Sequence, residues 1–296
     1  MKNALFILVL LFSTSIYESK NARAQVVADI APIYSLVARV MHGTGAPKLL
    51  VQHGASPHSY SMRPSEAKAL YQSKVIFWSG KVLNRQLSRS LENVSETVLV
   101  IDLSSSKDIT RLPMRKGATF DEHDEHDEYD PHLWLDPSIA KVWIDIITKN
   151  LSSTFPKNGA IYEENAKLAK EEINASVMRT KTLFKTSQSL NFIVFHDAYQ
   201  YFENYYGISA LGSIMLANAA KPSPARLIEI KNKINELGVN CIFSEPQFNS
   251  GLINAIASNT KISVKILDPF GSSLSLDKDL YIGIIDQMTS AINSCK

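Results

Sequence analysis

At 296 residues the chain is too long for one small domain and comfortable for two, and 45% apolar residues supply sizeable cores. The composition excludes a disordered or fibrous protein. A formal net charge of +2 gives no electrostatic case for binding nucleic acid.

Residues 1–24 read as a cleaved signal peptide. Lys2 supplies a positive start, Ala4 to Phe12 is an apolar run too short to span a bilayer, and Ala22-Arg23-Ala24 is a cleavage site. Its loss removes Lys2, Lys20, Arg23 and Glu18, taking 31 cations and 29 anions to 28 of each. The expected mature protein starts at Gln25, is near neutral, and has no Cys at its start for lipid attachment. Export to the periplasm as a soluble protein follows from that reading, and an uncleaved anchor is the disfavoured alternative.

The segment 25–157 is predicted to form a first α/β lobe. Val26 to Ile30, Lys48 to Val51, Val75 to Trp78 and Thr97 to Ile101 are short apolar runs of the kind parallel strands show when buried on both faces. Helices are predicted over Pro32 to Met41 and Arg63 to Gln72, the second with Ser65 as its N-cap. The lobe carries an acidic stretch at 121–130, DEHDEHDEYD, which no core can absorb and which reads as a surface loop. Its His123 and His126 could act as weak auxiliary metal sites, or the loop could be merely solvated.

Residues 158–186, rich in Ala, Glu and Lys, predict one helix about 40 Å long at ~1.5 Å per residue, a stiff connector. A second lobe over 187–296 repeats the pattern of the first. Strands are expected at Phe192 to Phe195, Ser209 to Ile214, Asn240 to Ser244 and Val264 to Leu267, with a helix capped by Ser223 and stopped at Gly238. The fold class is therefore α/β: two lobes, each a mostly parallel sheet flanked by helices, joined by one long rigid helix. Cys241 and Cys295, an even pair in an exported chain, read as one disulfide.

Open α/β sheets bind ligands at the carboxyl ends of their strands. His58, His132, His196 and Asp268 all follow predicted strands, two in each lobe, so a site built from them lies between the lobes. Three neutral imidazoles suit zinc, with a carboxylate or water in the fourth position. Asp130, Asp136, Asp197 and Glu245 are candidates to orient the imidazoles. Each residue alone has a plainer reading, since loop histidines are commonly surface groups and Asp268-Pro269 is also a turn signal.

Four segments sharpen this. Gly54-Ala55-Ser56-Pro57-His58-Ser59-Tyr60, Asp130-Pro131-His132-Leu133-Trp134-Leu135-Asp136-Pro137, Phe195-His196-Asp197-Ala198-Tyr199 and Leu267-Asp268-Pro269-Phe270-Gly271 resemble, in order, the four ligand motifs of the cluster A-I solute-binding proteins of ABC importers. Within that family His196, the acidic loop and the two cysteines resemble its zinc-type members, whereas manganese-type members usually carry Glu at the third position. The resemblance implies a non-enzymatic, monomeric protein. It would capture Zn2+ at His58, His132, His196 and Asp268 and deliver it to an inner-membrane permease with a cytoplasmic ATPase. Two departures stand out: the loop holds only two histidines, and Pro57 occupies a position where some zinc members place an acidic ligand. The alternatives are a manganese-specific relative and, from another class, a zinc hydrolase with Glu245 as its base.

Overall fold

The computed structural model describes residues 25–120, 122–123, 129–185, 190–258 and 260–295. The expected signal peptide, His126 and most of the acidic loop lie outside the described residues, as does the last residue of the expected linking helix. In the first lobe, β1 (Val26–Ala28), α1 (Ala31–Val40), β2 (Lys48–Leu49), α2 (Pro64–Gln72), β3 (Val75–Trp78), α3 (Arg85–Leu91) and β4 (Leu99–Asp102) alternate as expected. The segment after β4 forms a small antiparallel pair, β5 (Arg115–Lys116) with β6 (Glu122–His123). Next come α4 (Pro137–Thr154) and the long α5 (Gly159–Lys185). The second lobe runs β7 (Phe192–His196), α6 (Gln200–Tyr206), β8 (Ser213–Met215), α7 (Pro224–Glu236), β9 (Cys241–Ser244), α8 (Gly251–Ala257), β10 (Ser263–Ile266) and α9 (Leu280–Asn293).

Both four-stranded sheets are wholly parallel, with orders β2-β1-β3-β4 and β10-β9-β7-β8. Counted within its own lobe, each sheet has the order 2-1-3-4, so the two lobes repeat one topology. The order reverses between the first and third strands, and the crevice beyond their carboxyl ends is where such sheets hold ligands. In the first lobe that crevice is closed by the chain itself. Asp29, just past β1, accepts hydrogen bonds from the Ser79 amide at 2.8 Å and the Ser79 hydroxyl at 2.5 Å, just past β3. In the second lobe the same place holds His196 at the end of β7 and Glu245 just past β9.

Three expectations need adjustment. Helix α2 starts at Pro64 and is capped through Arg63, whose backbone N–H donates to Glu66 Oε2 at 2.7 Å, so Ser65 lies inside the first turn. Strand β8 begins four residues later than expected. Helix α5 is not a free rod. Tyr162, Ala166, Ala169, Ile173 and Val177 form a buried stripe at helical spacing, and the helix lies along both lobes. Asn165 Nδ2 donates to the Val40 and His42 carbonyls at one end, and Thr180 and Thr289 hydroxyls meet at 3.0 Å at the other.

The disulfide Cys241–Cys295 is present and joins β9 to the end of α9. Helix α9 crosses back over the first lobe, where Tyr281 N–H accepts the company of α1 by donating to Ser35 Oγ at 2.9 Å. One hydrophobic cluster consequently runs from Val26 and Phe77 through α5 to Phe192, Phe243 and Ile292.

Candidate metal centre

The three expected histidines converge. Their ligand nitrogens all lie within 4.8 Å of one another, and His132 and His196 are fully buried. Among the described residues this is the group that could hold a metal ion. The Nε2 atoms of His58 and His132 face each other at 3.3 Å. Two nitrogens on a tetrahedral ion at ~2.0–2.1 Å stand about 3.3–3.4 Å apart, so this spacing is already that of a zinc coordination edge.

Each imidazole is aimed by a different local device. His58 sits in a single 3-10 turn over Pro57–Ser59, after a turn in which Gly54 has φ 83°, a left-handed conformation that favours glycine. Two residues on, the Tyr60 hydroxyl donates to Glu66 Oε2 at 2.9 Å, the same oxygen that caps α2, so the ligand loop is bolted to a helix start. His53 Nε2 lies 2.9 Å from the Gly271 carbonyl, pinning the loop to the second lobe.

His132 is placed by Asp130. Its Oδ1 accepts from the His132 backbone N–H at 2.9 Å and lies 2.7 Å from Nδ1. With the proton held on Nδ1, the Nε2 lone pair is left toward His58. Burial pushes the Asp130 carboxyl up to about 7. The His132 ring packs edge-on against Trp134, whose Nε1–H donates to the Pro269 carbonyl at 2.9 Å, so the second and fourth motifs touch.

His196 is the last residue of β7. Its Nδ1 lies 3.3 Å from Glu245 Oε2 and its Nε2 lies 3.2 Å from the Ala217 carbonyl. Burial pulls this imidazole's pKa down, but the Glu245 carboxylate and the Ala217 carbonyl outweigh it and leave the pKa raised. Burial first, then the neighbouring imidazoles, hold His58 and His132 well below the ordinary range.

Of the four carboxylates read as orienting groups, Asp130 and Glu245 contact the converging imidazoles of His132 and His196. Asp136 instead caps α4 by accepting from Ser138 N–H at 2.7 Å. Asp197 pairs with Arg115, which also donates from Nη1 to Glu203 Oε2 at 2.7 Å. Asp268 is buried beyond the end of β10, outside the histidine group. Its Oδ1 accepts from Gln247 Nε2 at 2.8 Å and Phe270 N–H at 3.0 Å, and its Oδ2 accepts from Ser272 N–H at 2.6 Å and Ser272 Oγ at 2.5 Å. Its lone pairs are therefore engaged by three donors of its own turn and by Gln247 beyond β9. His123 is described only as part of β6, and nothing in the structure bears on its role or that of His126.

Sequence reasoning did not single out Arg115 or Gln247. Arg115 reaches Asp197 and Glu203 across more than eighty residues of chain. No local pattern announces such a pair; the only signal was two acidic side chains, Asp197 and Glu203, with no cation nearby in sequence.

The family described as "Zinc-uptake complex component A periplasmic" matches residues 26–295. The high-affinity zinc uptake system protein ZnuA of Brucella abortus (strain 2308) is 37% identical, with 92% of each chain covered. The protein of the same name from Yersinia pestis is 32% identical, covering 93% of this chain and 92% of its own. Among solved structures, a mutant of the laminin-binding adhesin Lmb from Streptococcus agalactiae superposes with a TM-score of 0.77 at 26% identity, covering 92% of this chain and all of that one. A crystal structure of ZnuA gives a TM-score of 0.76 at 23% identity, over 91% of this chain and 98% of its own, which speaks to the fold. With the sheet order, the histidine triad and a match over nearly the whole chain in agreement, the protein belongs to the periplasmic zinc-uptake component A family.

Proposed function

We propose that this protein is the zinc-binding component of an ABC importer, which captures Zn2+ in the periplasm with His58, His132 and His196 and delivers it to an inner-membrane permease driven by a cytoplasmic ATPase. The observation that carries the reading is the convergence of three imidazoles from separate chain segments, two of them fully buried, at the spacing a tetrahedral ion requires. Nitrogen-rich ligation favours zinc over manganese. Asp268 is the chain's own candidate for the fourth position, which it reaches by giving up some of its four hydrogen bonds. Export to the periplasm is supported by the family's periplasmic description. No helix among the described residues is long and apolar enough to cross a membrane.

No catalytic role is proposed. A hydrolase needs a base free to act on a metal-bound water, and Glu245, the one candidate, lies against the imidazole it orients. Ligand imidazoles must be deprotonated to bind metal, so affinity falls on acidification.

The test is a competition titration of the metal-free protein and of the His58→Ala/His132→Ala/His196→Ala variant. The wild-type protein is expected to take up one zinc tightly, and the variant to lose at least a thousandfold in affinity. Sub-micromolar binding that survives in the variant overturns the assignment.

A further inference from the structure

The four hydrogen bonds on Asp268 are not equivalent. Three come from its own turn: Phe270 N–H on Oδ1, and Ser272 N–H and Oγ on Oδ2. That turn is fixed by its surroundings. Gly271 has φ 66°, and a Cβ there would meet Ile284 Cγ1 of α9 at 2.7 Å, so the backbone lies directly against the helix. Phe270 is buried, its ring centroid 5.1 Å from that of Trp134, and the Gly271 carbonyl lies 2.9 Å from His53 Nε2. Giving up these three bonds means swinging the carboxylate out of a packed turn.

The fourth bond is of another kind. Gln247 Nε2 donates to Asp268 Oδ1 at 2.8 Å from 21 residues away. Gln247 is half-buried, and its Oε1 is buried with no partner. Among the described residues its amide makes no other hydrogen bond. Rotation of one unbranched side chain therefore breaks this bond, leaves the turn intact and releases an unpaired buried acceptor. Gln247 also follows Glu245, the carboxylate against His196, by two residues. One short segment beyond β9 thus touches both a converging imidazole and the candidate fourth ligand.

An ion that reaches Oδ1 must displace one of its donors, because each carboxylate oxygen has two lone pairs and both are occupied. We propose that Gln247 is a latch on the fourth ligand: its amide occupies the lone pair of Asp268 Oδ1 that zinc takes, so the ion and the amide compete for one oxygen, and the latch sets how tightly zinc is held and how fast it leaves. Gln247 is a positioning residue and acts through Asp268. Capture exchanges an N–H···O bond for a Zn–O bond, and release reverses the exchange. A hydrogen bond to a carboxylate is stronger than one between neutral groups, and its competition should weaken zinc binding by about tenfold.

This inference rests on the zinc reading above and on Asp268 as fourth ligand, and the experiment separates all three. Zinc affinity by competition titration, and zinc release by stopped-flow transfer to a chelator, are measured for the parent, Gln247→Met, Asp268→Ala and the double variant. Methionine keeps an unbranched side chain and has no N–H to donate. Gln247→Met is expected to bind zinc about tenfold more tightly and to release it correspondingly more slowly. Asp268→Ala is expected to bind more weakly, and adding Gln247→Met to it should change affinity by less than about twofold. Gln247→Ala should act in the same direction as Gln247→Met, and urea denaturation of the metal-free variants checks their folding. A residue that only supports the fold would not tighten binding, and its effect would not depend on Asp268. The inference is overturned if Gln247→Met and Gln247→Ala leave zinc affinity unchanged or lower it, or if they raise it equally in the Asp268→Ala background. If Asp268→Ala binds zinc as the parent does, Asp268 is not a ligand and the latch falls with it. If the parent takes up no zinc, the zinc reading falls by its own measurement and the latch with it.

Discussion

At the scale of the residue, the two crevices of the repeated fold show opposite uses of a buried carboxylate. Glu245 in the second lobe faces a ligand imidazole, whereas Asp29 in the first lobe only closes the chain on itself. Asp29 is fully buried, and desolvation raises its pKa from 3.8 to about 6 despite the bonds from Ser79 and Ile30. A carboxyl whose folded pKa lies above its unfolded value binds more protons in the folded state between the two. Folding stability therefore declines as pH rises from about 4 to about 6, by up to ~3 kcal/mol for a shift of roughly two units. Asn at this position keeps the shape and one acceptor but does not titrate. The stability of Asp29→Asn relative to the wild-type protein should shift in the variant's favour as pH is raised from 4 to 7, by urea denaturation at matched temperature. A difference that stays flat with pH would show that Asp29 does not titrate in this window. His53 and Tyr60 make the same point about local context, since neither is a ligand, yet each ties the His58 loop to a different neighbour.

At the scale of the element, the decisive feature is the excursion between β4 and α4, which leaves the first lobe to meet the second. Leu112 N–H donates to the Tyr201 hydroxyl, Ser213 N–H donates to the Ala118 carbonyl, and Arg115 is held by Asp197 and Glu203. Asp197 and Glu203 are 0% and 2% exposed, and among the described residues Arg115 is the cation paired with both. Removing one partner of a buried charge pair strands the other, at a cost of about 3–5 kcal/mol. Arg115→Met should lower stability by about that much, whereas Arg115→Lys, which keeps the charge and loses the fork, should lose less. Guanidinium denaturation checks both, and equal losses would mean that charge is not what matters there. This element also marks where sequence reading stopped. The strands were legible because parallel strands buried on both faces must be continuously apolar, as Val75-Ile76-Phe77-Trp78 is. The convergence of the three histidines was legible because strand ends are where this topology places ligands, and because the four motifs carried a resemblance. The excursion was not, since its two-residue strands have no period to detect and its partners lie in another lobe. The saturation of Asp268 was hidden for a related reason, since Gln247 and Ser272 acquire their meaning only once β9 and β10 pair.

At the scale of the whole molecule, two lobes of equal topology share one large buried cluster, beside a smaller one on each lobe's own sheet. Helix α5 is buried along both, α9 returns from the second lobe to pack on the first, and the Tyr281 hydroxyl donates to the Trp134 carbonyl at 2.9 Å beside the second ligand motif. The disulfide fastens the end of α9 to β9, so the helix that bridges the lobes cannot leave its own sheet. Lobes with separate cores melt separately, and a continuous core argues for one cooperative unit. Calorimetry of the metal-free, oxidised protein should therefore show a single transition, and two resolved transitions would mean that the shared cluster is too weak to couple the lobes. Zinc bound at the junction stabilises both halves together. At a free concentration a thousand times its dissociation constant the gain is about 4 kcal/mol, and for a chain of this length that amounts to roughly 10 °C. The whole transition should move by that amount without splitting, because the three histidines that would hold the ion come from both lobes. Reducing the disulfide should narrow the separation between local and global opening at the second lobe, so amide exchange in β9 is the place to look for the first loss of protection.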